Sequence, residues 1–330
     1  MTAPPARVLS GMQPSGLMHL GNYLGALENW KALQEAYECY FFVADWHALA
    51  TNYADTSRIR EFTRELLIDW LASGIDPARS IVFVQSRIPE HAVLHLLLSM
   101  MTPIAWLERN PTYKEKQEEI KEKDLGTYGF LGYPVLQAAD ILLYKPDLVP
   151  VGKDQLPHLE LTRELARRFN AIYKTAVFPE PKEYLTKFPK VLGTDGRKMS
   201  KSYGNTINLS DAEPVVRQKL KTMVTDPARV RRHDPGNPDV CPVYEFHKIY
   251  SPQTVQEQIN TDCRTAAIGC IDCKKLVADR MVEQLKPVWD ARAKLTGDPS
   301  HVEDIVQTGS RRAAEVARAT LGEVNAAMKL

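Results

Sequence analysis

Two unbroken apolar runs of strand length, Tyr40-Phe41-Phe42-Val43-Ala44 and Ile81-Val82-Phe83-Val84, constrain this chain more than any other feature. A strand with one wet face alternates apolar and polar residues. A continuous run needs cover on both faces, as in a parallel sheet flanked by helices. Helical patterns lie between and after these runs. One is expected over about 21–36, with Tyr23, Leu24, Leu27, Trp30 and Leu33 apolar. Another follows the caps Asp55-Thr56-Ser57 and ends near Gly74. Further helices are expected over 89–109, 134–144 and 155–173, with strands at Val8-Leu9-Ser10 and at 148–152. Strands alternating with helices predict an α/β, Rossmann-type doubly wound parallel sheet. Beyond Leu209 the pattern becomes helical, interrupted by the Pro- and Gly-rich 234–242.

At 330 residues the chain exceeds a typical single domain. The expected division is a catalytic domain over 1–190 and a helical domain over 191–330. The segment about 110–132, charged and then Gly-rich, reads as an exposed, mobile insertion. No apolar run reaches the roughly 18 residues that a membrane span needs. Residues 1–7 lack an apolar signal core, so a cytoplasmic protein with no membrane partner is the simplest expectation. The formal net charge is only +1, so nucleic-acid binding would rely on local patches. The candidates are Lys219, Lys221, Arg229, Arg231, Arg232 and His233, then Arg311 and Arg312.

Chemistry concentrates in two short segments. After the first strand comes Pro14-Ser15-Gly16-Leu17-Met18-His19-Leu20-Gly21-Asn22. Gly16 and Gly21 let the backbone approach a ligand, and the free N–H groups of a helix start favour an anion. His19 can donate to phosphate oxygens; a tight turn with a capping histidine is the blander alternative. No Walker A loop or GxGxxG fingerprint is present to account for the turn. Much later, Lys198-Met199-Ser200-Lys201-Ser202 lies between Gly193, Gly196 and Gly204. Two lysines on a flexible loop suit closure over a polyanion and release of it.

In this order, HLGN at 19–22 and KMSKS at 198–202 resemble the two signatures of class I aminoacyl-tRNA synthetases. The string Ser10-Gly11-Met12-Gln13-Pro14-Ser15-Gly16, then HLGNYLGAL, is similar to the start of the bacterial tryptophanyl branch. So are Asp45-Trp46-His47-Ala48, the run Tyr133–Leu142 and the run Val149–Gln155. The resemblance covers nearly the whole chain and implies ATP-dependent attachment of L-tryptophan to tRNA(Trp) through an adenylate. ATP with Mg2+ and tRNA(Trp) are then substrates, and a homodimer is expected.

Residue by residue, it implies an ATP site lined by Gln13, Pro14, Ser15, Gly21 and Asn22. Gly152, Lys153 and Asp154 would contact adenosine, and Val191 would lie against adenine. The loop Lys198, Met199, Ser200, Lys201 and Ser202 would hold the β- and γ-phosphates. His19, Lys198 and Lys201 are the implied catalytic groups. Asp140 matches the family's indole-recognising carboxylate, with Tyr133, His47, Gln137 and Gln155 lining the amino-acid pocket. Some members carry Met at the position of Gln137. A buried carboxylate suits tryptophan, because an amino acid lacking the indole N–H would leave it poorly paired. Without the surrounding string, Asp140 would read as a local cap or ion pair.

Two rivals are a tyrosyl-tRNA synthetase and a second synthetase copy acting as a tryptophan-binding or regulatory protein. Leu9 argues against the first, since a phenol site usually wants a tyrosine there. Cys241, Cys263, Cys270 and Cys273 are separated by 21, 6 and 2 residues. Four thiols with a C-x2-C suit zinc or a [4Fe–4S] cluster, or pack as small hydrophobes with no metal. A subset of the tryptophanyl branch has a similar arrangement holding [4Fe–4S], so the resemblance implies the cluster. Cys39, beside a buried strand, is expected to be structural.

Overall fold

A computed structural model describes residues 5–110, 126–185 and 191–330. Five parallel strands form one sheet: β1 (Arg7–Met12), β2 (Glu38–Val43), β3 (Ser80–Val84), β4 (Leu148–Val151) and β5 (Lys182–Leu185). Their order is β3-β2-β1-β4-β5, as a doubly wound sheet requires. β1 and β2 pair in register from Arg7 opposite Glu38 to Met12 opposite Val43. β3 is buried at every position, whereas β5 is exposed at every position. That exposure is why Lys-Glu-Tyr-Leu carries no buried-strand signal and the fifth strand is absent from the sequence expectation.

The helix expected over 21–36 is α1 (Leu20–Asn22), a wide π-helical turn (Tyr23–Leu27) and α2 (Glu28–Leu33). After β2 come α3 (Asp45–Asn52), too short for its period to be read, and α4 (Ile59–Ala72). Gly74 follows α4 in the left-handed region, with φ +104°. α5 (Glu90–Ser99) and α6 (Ile104–Glu108) occupy the expected 89–109 stretch. The expected insertion falls partly at 111–125, outside the described residues. The rest of it is not a loop: α7 (Tyr128–Tyr144) starts before Pro134 and runs through it. The Thr127 side chain caps it by accepting from the Phe130 N–H at 3.2 Å, which outweighs Gly129 and Gly132. α8 (Leu156–Tyr173) leads to β5. The remainder is α9 (Glu213–Thr222), α10 (Pro242–Tyr250), α11 (Gln253–Arg264), α12 (Cys270–Gly297) and α13 (Pro299–Met328). No helix among the described residues is long and apolar enough to cross a membrane.

Each sheet face has its own apolar core. On one, Trp30 stacks on Phe41 at 4.5 Å and meets Trp70 edge-on at 5.0 Å. On the other, Leu9, Tyr40, Phe42 and Phe83 pack against Leu142, Tyr144 and Phe169. The long α13 joins them: Val302 and Val306 enter the first core, and Ala313, Ala314 and Ala317 the second. The helix therefore crosses the free edge of β3 and shields it from pairing with another chain. Arg292 of α12 adds an ion pair to α4, 2.7 Å from Glu65 and also bonded to buried Asp69.

At the crossing, a Cβ on Gly309 would overlap the backbone carbonyl of Val82. Gly309→Ala should therefore destabilise the protein by at least about 1–3 kcal/mol, because neither backbone can yield cheaply. Gly322 in the same helix has open space around it, so Gly322→Ala should instead stabilise by up to about 1 kcal/mol. Urea unfolding compares the two; equal effects would contradict the crossing.

Candidate active site

In this strand order the switch point lies between β1 and β4, whose C-terminal ends splay apart. A cleft of about 270 Å³ opens there. Its walls are Leu9 to Gln13, Val149 to Gly152, and the inward face of α7 at Gln137, Asp140 and Ile141, with His47 and Gln155 beside them.

At one end, β1 turns into α1. Ser15 N–H closes the turn on the Gln13 carbonyl at 2.9 Å, and Gly16 takes φ +135°, where L side chains are strained. His19 is the N-cap: its Nδ1 accepts from the Asn22 N–H at 3.3 Å, and the Asn22 side chain accepts from the His19 N–H at 3.4 Å. A Cβ at Gly21 would sit 2.9 Å from that Nδ1, so glycine makes room for the ring. Burial first, then the charges of Lys201 and Lys198, push the His19 pKa down to about 4. At neutral pH the ring is thus uncharged, and with Nδ1 accepting, its Nε2 carries the proton as a free donor.

The loop from Val191 folds over this turn. Met199 N–H bonds the Val191 carbonyl at 3.0 Å, and both side chains are buried in the first core. Lys201 Nζ then donates to the Gly16 carbonyl at 3.0 Å and the Ser15 hydroxyl at 3.4 Å. Burial lowers its pKa to about 8. The exit strand is stitched to the entrance: Leu20 N–H to Ile207 O at 2.9 Å, and Leu209 N–H to Met18 O at 2.8 Å. Buried Asn205 is the clasp. Its Oδ1 accepts from Ser200 N–H at 2.8 Å, and its Nδ2 donates to Asp195 at 2.7 Å and the Lys198 carbonyl at 3.2 Å. A side chain at Gly193 would overlap it.

At the other end lies Asp140, 1% exposed. Its Oδ2 is 2.7 Å from His47 Nε2; its Oδ1 is 2.7 Å from His91 Nδ1 and 2.8 Å from Gln85 Nε2. Burial alone would raise its pKa; the hydrogen bonds and electrostatic attraction of His47 and His91 outweigh that and hold it at about 2. A permanent carboxylate thus sits at the foot of the cleft.

Gln13, His47, Gln137, Asp140, Gly152 and Gln155 all line this cleft. Pro14 and Ser15, in the turn after β1, and Gly21 and Asn22, in α1, are not among the residues lining the cleft. Lys153 and Asp154 are exposed just beyond β4, with Asp154 accepting from Gln155 Nε2 at 2.8 Å. Lys198 and Ser202 are exposed on the loop, and Ser200 is half-buried. Tyr133 is not among the residues lining the cleft. It borders an adjoining hollow of about 400 Å³ with His47 and His95, and its hydroxyl meets His158 Nε2 at 3.0 Å. Gln85, His91 and Asn205 belong to the site and to no motif; only the contacts reveal them.

The four late cysteines gather where α10, α11 and α12 begin or end. Cys273 is pushed up to about 12, by burial first and then by Cys241, Cys263 and Cys270, so the thiols lie within electrostatic reach of one another. Among the described residues, however, no group of three or more His, Cys, Asp or Glu side chains stands in position to hold a metal ion. Cys39 is buried, and burial with the Glu38 charge raises it to about 12, which fits an inert packing residue.

Residues 1–286 match the family described as tRNA synthetases class I (W and Y). A tryptophan–tRNA ligase of Thermotoga maritima is 54% identical over 326 residues, spanning 98% of this chain and 99% of that one. The crystal structure of tryptophanyl-tRNA synthetase from Campylobacter jejuni, complexed with ADP and tryptophan, superposes with a TM-score of 0.90 at 32% identity. It covers 98% of this chain and 100% of that chain. A tyrosyl-tRNA synthetase from Archaeoglobus fulgidus shares the fold, at TM-score 0.65 and 22% identity over 87% of this chain and 90% of that one.

Because Asn205 alone ties three points of the loop together, Asn205→Ala should accelerate amide exchange across 198–202 by about tenfold or more, the loss of roughly 1.4 kcal/mol. Exchange in β1 and β4 should be unchanged. Unaltered protection at Ser200 would remove Asn205 from that role.

Proposed function

This chain belongs to the class I tRNA synthetases of the tryptophan and tyrosine group, and from that premise we propose how its cleft works. The reaction is ATP-dependent attachment of L-tryptophan to tRNA(Trp). The observation that supports the reading is the seat of Lys201 on Ser15 and Gly16, in the turn that follows β1, whose last residues line the cleft together with Asp140. We read the turn as the polyphosphate end of the site and Asp140 as its amino-acid end.

The tryptophan carboxylate oxygen attacks the α-phosphorus of Mg-ATP in line. The bond to the bridging oxygen of pyrophosphate breaks, leaving tryptophanyl-adenylate. The terminal ribose hydroxyl of the tRNA, the 2′-OH in this family, then attacks the acyl carbonyl and AMP leaves. No protein nucleophile is needed; the chain contributes position and charge. Lys201 moves from Gly16 and Ser15 onto the departing pyrophosphate, and exposed Lys198 joins it. The free Nε2–H of His19 donates to a phosphate oxygen while the ring itself stays neutral. Gln13, Pro14, Ser15, Gly21 and Asn22 hold ATP with the 198–202 loop, and Gly152, Lys153, Asp154 and Val191 hold its nucleoside. Asp140 accepts the indole N–H; His47, Gln137 and Gln155 shape the tryptophan site, and Tyr133 braces it from the adjoining hollow.

We further propose 1–190 as the catalytic unit and 191–330 as the loop and anticodon-binding unit of a cytoplasmic homodimer. Leu96 on α5, Met100 just past its end and Ile104 on α6, between 54% and 74% exposed, support burial of that face in a dimer. For the cysteines we propose a [4Fe–4S] cluster on Cys241, Cys263, Cys270 and Cys273. An all-thiol donor set is what such a cluster takes, but the four thiols would have to close up to hold it, since no group of the described residues stands in position to bind a metal. Arg229 Nη1 lies 3.6 Å from Cys263 Sγ and His247 Nε2 3.4 Å from Cys273 Sγ. When bound, the cluster would staple α10, α11 and α12 together. Anaerobically purified protein should be brown, with stoichiometric iron and sulfide lost in Cys263→Ser; colourless protein, with or without zinc, would contradict this.

Charging of tRNA(Trp) with tryptophan, beside tRNA(Tyr) with tyrosine, tests the function; absence of tryptophan charging would refute it. Lys201→Ala should slow adenylate formation about 10²–10³-fold while tryptophan affinity stays within about twofold. Free Lys201 is protonated below about 8 and neutral above, so kcat/KM for ATP should fall on the alkaline side near that value. Lys201→Arg, charged throughout, should erase that limb. A limb unchanged in Lys201→Arg would assign it to another group.

A further inference from the structure

We propose that His91 is a positioning residue for amino-acid choice: with Gln85 it saturates Asp140 Oδ1, so this carboxylate offers the cleft a single acceptor site, on Oδ2. The inference rests on the reading that Asp140 meets the indole N–H.

A carboxylate has about four acceptor positions, two on each oxygen. Oδ1 already takes two donors, Gln85 Nε2 at 2.8 Å and His91 Nδ1 at 2.7 Å. Oδ2 takes one, His47 Nε2 at 2.7 Å. The direction of each bond follows from the partners of its groups. Gln85 Oε1 accepts from the Trp46 N–H at 3.1 Å, which turns the amide so that its NH2 faces Asp140. His91 Nε2 is 2.8 Å from the hydroxyl of buried Tyr144. Asp140 is an ionised carboxylate and can only accept, so His91 carries its hydrogen on Nδ1, facing Oδ1. The Nε2 of the neutral ring then accepts from the Tyr144 hydroxyl, which burial keeps protonated. The relay runs from Tyr144 O–H to His91 and from His91 Nδ1–H to Asp140.

One lone pair therefore remains for a ligand, and it belongs to the oxygen beside cleft-lining His47. A substrate with one N–H donor fills it. A substrate with none leaves a buried charge underpaired, which is costly. Without the His91 bond a second acceptor position opens on Oδ1, and the carboxylate no longer presents one defined site. His91 touches no substrate; it acts through Asp140.

The test compares tryptophan with β-(3-benzothienyl)alanine, which replaces the indole N–H by sulfur, as the ratio of kcat/KM in ATP–pyrophosphate exchange. His91→Leu should cut the preference for tryptophan at least about tenfold, whereas His91→Asn, whose amide can donate from near the Nδ1 position, should keep it within about threefold. His91→Phe keeps a ring but has no donor and should also lower the preference; it serves where His91→Leu fails to fold. Asp140→Ala should abolish the preference. An unchanged ratio in folded His91→Leu or His91→Phe, with the ratio lost in Asp140→Ala, would overturn the role of His91 alone. An unchanged ratio in Asp140→Ala would instead overturn the reading of Asp140. A merely structural loss would lower both substrates equally and leave the ratio intact.

Discussion

The ammonium of Lys201 rests on the Gly16 carbonyl and the Ser15 hydroxyl, with only neutral dipoles as the hydrogen-bond partners of a partly desolvated cation. Such a charge is costly to keep, and its pKa of about 8 records that cost. In the proposed reaction a polyphosphate entering the cleft supplies the missing negative charge. Much of the surrounding architecture serves this one placement. The left-handed turn at Gly16 presents the carbonyl, the 207–209 segment pairs with 18–20, and Asn205 closes the loop behind the lysine. A nearby imidazole, held neutral by burial first and then by the lysine charges, can donate without adding to the repulsion.

Asp140 obeys the opposite logic. It is a buried anion already given three donors, so it stays ionised and has one vacancy for a substrate. On the proposed function the two groups suit the two ends of the reaction: an undercompensated cation for the phosphates and a nearly saturated anion for the amino acid. Both hang from the C-terminal ends of β1 and β4, and α13, folded across the edge of β3, binds the two cores beneath them.

The central strands were legible because Tyr40–Val43 and Ile81–Val84 are buried on both faces and carry no polar residue. β5 was not, because its four residues are exposed, and α3 was too short to show a period. The start of α7 was hidden by Gly129, Gly132 and Pro134, which read as a loop until the Thr127 cap is seen. In the site, His19, Lys201 and Asp140 stood out through their strings. Gln85, His91 and Asn205 did not: the first two reach Asp140 from other elements, 55 and 49 residues away, and Asn205 acts through backbone groups. Chain patterns name the groups that meet substrate; the groups that aim them are visible only in three dimensions.

A crystal structure of the protein with tryptophan and a non-hydrolysable ATP analogue tests the two-ended cleft most directly. Lys201 Nζ should have left Gly16 and Ser15 for the β- and γ-phosphate oxygens, and the indole nitrogen should lie within about 3.2 Å of Asp140 Oδ2, with His91 still on Oδ1. A ligand-filled cleft in which Lys201 keeps its hold on Gly16, or the indole nitrogen has no contact with Asp140, would contradict the account.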